Sequence, residues 1–122
     1  MTKQLPAAPD AIAPDGSEVR ILASTTRGSM AQFRLAPGAV SKAVTHRTVE
    51  ELWFFTRGKG RMWRKSAARE ECVELFPGVS LSIPLGTHFQ FRNNGTEPLE
   101  AVGVTMPPWS GQEEAYPVTG PW

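Results

Sequence analysis

Turn-forming residues recur along the whole chain, and their spacing restricts the fold more than any other feature. Eleven glycines and eleven prolines occur largely in short clusters, such as Pro37-Gly38, Pro77-Gly78 and Asn93-Asn94-Gly95. Turn signals every 8 to 12 residues or so are typical of proteins built from short strands. No segment shows the sustained apolar period of about 3.6 residues that an amphipathic helix requires. The sequence therefore predicts an all-β domain without a helix.

The segments between the turns have the composition and patterning of strands. Residues 30–35 place an alanine, a phenylalanine and a leucine on one face, as a half-buried strand does. Residues 52–55 are apolar at every position, which predicts a strand buried on both faces between two sheets. We predict strands at residues 17–24, 30–35, 42–48, 51–56, 61–65, 72–76, 79–83, 88–92 and 99–106. This number of short strands favours a sandwich or a small closed barrel.

Two irregular segments flank the predicted strands within one domain of 122 residues. Residues 1–16 contain three prolines and are predicted to be an irregular lead-in. Residues 107–122 are rich in proline and glycine but retain Trp109, Tyr116 and Trp122. Aromatic side chains on an irregular segment indicate that it packs against something. This tail is predicted either to cover the mouth of the barrel or to cross to a second subunit.

Composition and charge exclude several classes of partner. The net charge is +1, and acidic and basic residues are interspersed, so the basic stripe of a nucleic-acid-binding protein is absent. No apolar run is long enough to span a membrane, and residues 1–10 lack the apolar region of a signal peptide. Cys72 is the only cysteine, which excludes an internal disulfide. We expect a cytoplasmic protein that binds neither nucleic acid nor membrane.

The framework of turns resembles the cupin family, whose two motifs read G(X)5HXH(X)3,4E(X)6G and G(X)5PXG(X)2H(X)3N. The first motif is similar to the stretch that contains Gly38, His46, Glu51 and Gly58. The second is similar to the stretch that contains Gly78, Pro84, Gly86, His88 and Asn93. The resemblance implies a double-stranded β-helix, or jelly-roll barrel, with a central cavity. It also implies positive φ angles at the motif glycines.

The resemblance also implies a metal site, but the match to its ligands is incomplete. Metal-binding cupins use two histidines and a glutamate from the first motif and a histidine from the second. In the common spacing these positions fall on Thr45, Arg47, Glu51 and Phe89, so only Glu51 matches. The longer spacing brings His46 into register with Glu51. Together with His88 they would form a facial triad for a divalent iron, manganese, nickel or zinc ion.

The triad can form only if His88 points into the cavity. Side chains along a strand alternate between its faces, so His88 points away from the cavity if Phe89 and Phe91 point into it. A bulge near Gly86 would reverse that orientation. Glu50 is a second carboxylate that could replace Glu51.

The preferred hypothesis is that the barrel binds a small organic molecule without strong catalysis. The candidate ligand-binding residues are Arg47, Glu51, Trp53, Phe89, Gln90 and Phe91. Arg47 would bind a substrate carboxylate, pair with Glu51, or face solvent. The alternatives are a metal-dependent dioxygenase or isomerase using His46, Glu51 and His88, and a structural dimer with a filled barrel. A homodimer is expected because the edge strands must be covered.

Overall fold

Two antiparallel sheets face each other in the computed structural model, which describes every residue from Met1 to Trp122. The first sheet has the order β1 (Ala11–Ile12), β2 (Glu18–Ser24), β3 (Ser29–Leu35), β10 (Leu99–Met106), β5 (Glu50–Arg57) and β8 (Ser80–Ile83). The second has the order β11 (Ala115–Pro117), β4 (Val44–His46), β9 (His88–Asn93), β6 (Gly60–Lys65) and β7 (Glu70–Leu75). The predicted all-β barrel is confirmed.

Helical structure is limited to one 3-10 turn at Gln112–Glu114. No helix in the chain has the length and apolar character that a membrane span requires. The turn lies between β10 and β11, within the tail that follows the last long strand. The turn contains Glu114, whose buried carboxylate forms hydrogen bonds to the loop between β4 and β5.

The side chains of β5 alternate between the barrel interior and solvent. Glu51, Trp53 and Phe55 are at most 3% exposed, whereas Leu52 and Phe54 are about half exposed, at 53% and 50%. The prediction that residues 52–55 are buried on both faces is therefore wrong. An apolar run predicts a second covering layer, but here no other element of the chain lies over the outer face of β5.

The interior is packed solidly at one end of the barrel and hollow at the other. The packed end is made by side chains that are at most 1% exposed, including Phe55, Met62, Leu75, Phe91 and Leu99. Dense apolar packing of this kind is the main source of stability in a small domain. Trp53 lies at the boundary, because it belongs to the core and also lines the hollow end.

Both flanking segments contribute a short strand that the sequence pattern does not reveal. The lead-in forms β1, which pairs with β2, and the tail forms β11, which pairs with β4. The lead-in is also tied to the sheet by Arg20, whose guanidinium donates hydrogen bonds to the carbonyls of Pro6 and Ala7. Strands of two or three residues are too short to show alternation, so propensity alone cannot identify them.

The motif glycines adopt the backbone conformation that the turns require. Gly38, Gly58, Gly78 and Gly86 have φ angles of 75°, 87°, 100° and 82°, as predicted. At Gly58 a side chain is also excluded sterically, since a Cβ atom there would lie 2.5 Å from the carbonyl oxygen of Pro98.

Candidate functional site

A cavity of about 340 Å³ occupies the hollow end of the barrel. Strands of both sheets line it, together with parts of the lead-in around Asp15 and of the tail around Trp109. Most of the lining side chains are hydrophobic. A mostly apolar cavity with a few polar groups is the usual form of a small-molecule site.

Glu51 presents a buried carboxyl group to this cavity from β5. Its Oε2 atom accepts a hydrogen bond from Nε1 of Trp53. Burial raises the pKa of Glu51 to about 8, against the lowering effect of the Trp53 hydrogen bond and with a smaller raising effect from Asp15. The carboxyl group is therefore predominantly protonated at neutral pH in the empty cavity.

His46 lies next to Glu51 and contributes a neutral imidazole. Its Nδ1 atom is 3.1 Å from Oε1 of Glu51 and has no other polar partner. The ring is held between the edges of Phe89 and Trp109, with centroid distances of 5.3 and 5.4 Å. Burial lowers the pKa of His46 to about 4, although the charge of Glu114 acts in the opposite direction.

Asp15 provides a second carboxyl group in the cavity wall. Its Oδ1 atom accepts hydrogen bonds from both the backbone amide and the hydroxyl of Ser17. Burial nevertheless raises the pKa of Asp15, because these two hydrogen bonds do not compensate for the loss of solvent. The cavity thus contains two carboxyl groups in a poorly solvated setting.

Glu114 anchors the tail to the loop between His46 and Glu51. Its carboxylate accepts hydrogen bonds from the amides of Thr48 and Val49 and from the Thr48 hydroxyl. Burial alone would raise the pKa of Glu114, but these hydrogen bonds outweigh it and lower the pKa. The tail is therefore an integral part of the site and closes the cavity with Trp109.

Aromatic side chains form one side of the cavity. Phe33 and Trp53 stack with their ring centroids 4.6 Å apart and their planes inclined by 15°. The stack requires a glycine beneath it, because a Cβ atom at Gly103 would lie 2.6 Å from Phe33 and 3.2 Å from Trp53. Gly103 therefore allows two large rings to lie close to the sheet.

Four predicted ligand-binding or metal-binding residues line the cavity, namely His46, Glu51, Trp53 and Phe89. Phe91 does not, since it is part of the packed core. Gln90 lies on the outer face of β9, where its side-chain amide donates to the carbonyls of Ser41 and Trp122. Its role is to hold the end of the chain on the sheet.

Arg47 does not reach the cavity, so its predicted role in binding a substrate carboxylate is not supported. The side chain is exposed, and Nε donates a hydrogen bond to the carbonyl of Glu113. The guanidinium carbon lies 4.5 Å from the centre of the Tyr116 ring. The alternative internal pair with Glu51 is also absent, because the only basic side chain in contact with Glu51 is that of His46.

The predicted metal triad of His46, Glu51 and His88 does not form. His88 is half-buried opposite Lys65, on the outer face of β9, and does not line the cavity. Glu50 is exposed on the outer face of β5. No group of three or more histidine, cysteine, aspartate or glutamate side chains is arranged to bind a metal.

The other side chains beside His46 and Glu51 confirm that the donor set does not fit a metal. Val44 lies two residues before His46 and pairs with Phe89, and both are apolar and line the cavity. Thr45 is turned away, with its hydroxyl donating to the carbonyl of Thr87. Asp15 also lines the cavity, but it is not grouped with His46 and Glu51 as a third ligand, so an ion bound by these two residues would have fewer than the three or four protein ligands of ordinary catalytic sites.

A family model described as the cupin domain matches residues 31–105, which is more than half of the chain. The chain belongs to the cupin family. The match includes β3 to β10 and therefore both motifs, whereas the lead-in and the tail of this cupin lie outside it. A comparison with curated proteins finds no match.

Solved structures of very different sequence share the fold of this cupin. An uncharacterized conserved protein with a double-stranded β-helix domain from Klebsiella pneumoniae has a TM-score of 0.70 and 16% identity over 85% of each chain. Oxalate decarboxylase from Bacillus subtilis has a TM-score of 0.74 and 20% identity. That alignment covers 89% of this chain but 29% of the decarboxylase. At these identities the likeness establishes the fold alone.

Sequence reasoning misses two residues of the site, Asp15 and Glu114, which both lie outside the region that the family model matches. Trp109 lines the cavity, in agreement with the first of the two alternatives predicted for the tail, which was to cover the mouth of the barrel. The signal for that alternative is the retention of aromatic residues in the proline-rich tail.

Proposed function

We propose that this cupin binds a small organic molecule in the hollow end of its barrel. The observation that carries the proposal is the cavity of about 340 Å³, in which a mostly apolar wall surrounds the adjoining side chains of His46 and Glu51. An apolar wall supplies affinity, and a few buried polar groups orient the ligand. A filled barrel with a purely structural role would not leave such a space beside buried polar side chains.

A titration with an uncharged probe tests this proposal directly. The probe is 3,3-dimethylbutan-1-ol, a compact branched alcohol, and the signal is the fluorescence of Trp53 and Trp109, which line the cavity. Ala31→Leu adds bulk to the cavity wall, whereas Val102→Leu places the same leucine side chain on the outer face, with a smaller increase in volume. We expect Ala31→Leu to weaken binding by about tenfold or more, which is about 1.4 kcal/mol, and Val102→Leu to have no effect.

Two results would contradict the binding proposal. One is the absence of a saturable fluorescence change in the wild-type protein. The other is equal binding by Ala31→Leu, which would place the probe outside the cavity. Circular dichroism and a thermal unfolding curve for each variant establish that the compared proteins are folded.

The alternative, a metal-dependent dioxygenase or isomerase, is not favoured by the side chains present. Only His46 and Glu51 of the expected triad face the cavity, and no third ligating side chain is grouped with them. Elemental analysis of the purified protein tests this assignment. A near-stoichiometric divalent metal that is lost in His46→Ala would overturn it.

We also propose that two copies associate through the outer face of the six-stranded sheet. Leu52, Phe54 and Met30 are 53%, 50% and 38% exposed on this face. Phe54 is paired with Val102, and Leu52 with Val104, so the apolar side chains are contiguous across β5 and β10. A contiguous exposed apolar patch on a soluble domain is a usual sign of a protein contact surface.

A further inference from the structure

Apart from the neutral imidazole of His46, the ionisable groups in the cavity wall are both carboxyl groups. Asp15 and Glu51 both line the cavity, and no lysine or arginine does. Arg47, the basic residue closest in sequence to His46, is directed outwards onto Tyr116. A ligand that carries a carboxylate or a phosphate would therefore find no cation in the wall.

The polar atoms of Glu51 and His46 are only partly satisfied within the protein. Oε2 of Glu51 accepts a hydrogen bond from Trp53, while Oε1 lies 3.1 Å from Nδ1 of His46, which has no other partner. Each of these two atoms therefore depends on the other alone, and neither is paired with a charge. A ligand at this edge of the cavity would complete their interactions.

Electron-rich rings surround the same space. Phe33, Trp53, Phe89 and Trp109 all line the cavity. The negative electrostatic potential of aromatic ring faces attracts cations, and pockets that combine several rings recognise substituted ammonium groups. Aromatic rings and carboxyl groups both favour positive charge, so the two features of the wall select the same type of ligand.

From this geometry we infer that the ligand carries a substituted ammonium group, which lies against the aromatic side chains with Glu51 as its counter-ion. The inference rests on the proposed binding function and narrows it to one chemical class. Glu51 is protonated in the empty cavity, and a bound cation favours its ionised form, because the cation supplies the opposite charge that a buried carboxylate requires and that no side chain of the wall provides. The remainder of the ligand is small and apolar, in keeping with the wall.

The test compares three molecules of nearly the same shape but different charge. The probes are choline, which is a cation, 3,3-dimethylbutan-1-ol, which is its uncharged isostere, and 3,3-dimethylbutanoate, which is an anion. Dissociation constants are measured by calorimetry with wild-type protein, with Glu51→Gln and with Glu50→Gln. Glu50 is the matched control because it adjoins Glu51 in sequence but is exposed on the outer face.

We expect wild-type protein to bind choline about tenfold or more tightly than the uncharged alcohol and not to bind the anion detectably. Glu51→Gln should remove most of the preference for choline while retaining affinity for the alcohol, and Glu50→Gln should resemble wild type. Equal binding of choline and the alcohol, or an unchanged preference in Glu51→Gln, would overturn the ammonium inference alone. Failure of all three probes to bind would overturn both this inference and the proposed function.

Discussion

Nδ1 of His46 lies 3.1 Å from Oε1 of Glu51, inside a barrel and away from solvent. Burial shifts the two pKa values in opposite directions, to about 4 for His46 and about 8 for Glu51. At neutral pH the pair therefore consists of an imidazole and a carboxylic acid that are both uncharged. A protonated carboxyl group beside a neutral imidazole provides a hydrogen-bond donor next to an acceptor.

The first prediction concerns stability above neutral pH. Glu51 has a pKa of about 8 in the folded protein and 4.5 as its ordinary value, so an unfolded chain loses this proton at lower pH than the folded one. Stability from Glu51 is therefore complete below pH 4.5 and decreases as the pH rises to about 8. Glu51→Gln should remove this decrease, by an amount on the order of a few kcal/mol.

Urea unfolding at several pH values measures this effect. His46 has the opposite dependence, because its lowered pKa makes stability decrease as the pH falls from 6.5 towards 4. The two effects oppose each other at mildly acidic pH, so the range between pH 6.5 and 8 isolates Glu51. Parallel stability curves for wild type and Glu51→Gln in that range would show that Glu51 ionises normally.

A second prediction concerns Trp109, which the tail contributes to the cavity wall. Trp109→Ala should weaken binding of the uncharged probe and lower stability by less than about 3 kcal/mol, because the residue is only half-buried. Trp109→Phe keeps an aromatic ring next to His46 and should retain most of the affinity. Calorimetry and thermal unfolding measure both quantities. An Ala variant with unchanged affinity would exclude Trp109 from the binding site.

A third prediction concerns Gly103, which lies beneath the stacked rings of Phe33 and Trp53. Gly103→Ala should destabilise the protein by about 1–3 kcal/mol, the usual cost of overpacking a core. Val102→Ala changes the neighbouring outward-facing position and should have a smaller effect. Chemical unfolding compares the two variants. A stable Gly103→Ala protein with unaltered tryptophan fluorescence would argue against a tightly constrained stack.

A fourth prediction concerns the proposed association of two copies. Phe54→Lys introduces a charge into the apolar outer face of β5 and should shift the protein to a monomer. Thr56→Lys introduces the same charge on the same face of the strand, two residues further along and outside the apolar patch. Light scattering coupled to size-exclusion chromatography measures the mass. A wild-type monomer, or a dimer that persists in Phe54→Lys, would count against this interface.

The sequence is sufficient to predict the fold because the turns are specified locally. Gly38 and Gly78 adopt positive φ angles, and no distant atom lies near either position, so the requirement for glycine comes from the turn itself. The motif spacing likewise identifies Glu51, and the longer spacing correctly selects His46 as its neighbour in the cavity. Alternation along β9 also predicts correctly that His88 points outwards if Phe89 points inwards.

Arg47 shows why the site is harder to predict than the fold. Counting back from Glu51 in the common spacing places Arg47 at an inward position. The loop between β4 and β5 instead follows the longer spacing, because Glu114 holds the amides of Thr48 and Val49 from the distant tail. This long-range contact leaves no local signature, so the orientation of Arg47 cannot be deduced from residues near it.

The cavity wall joins strands of the barrel to two segments that lie at opposite ends of the sequence, one around Asp15 and the other around Trp109. The strands of the wall have a hydrogen-bonded neighbour on each side, whereas each of these two segments adjoins a short strand at the edge of a sheet, β1 or β11. Substitutions in the two segments could therefore change which molecule is accepted while the packed end around Phe55 remains unaltered. Part of the surface that contacts a ligand is thus encoded outside the strands that build the packed end, while Glu51 and Trp53 remain on β5.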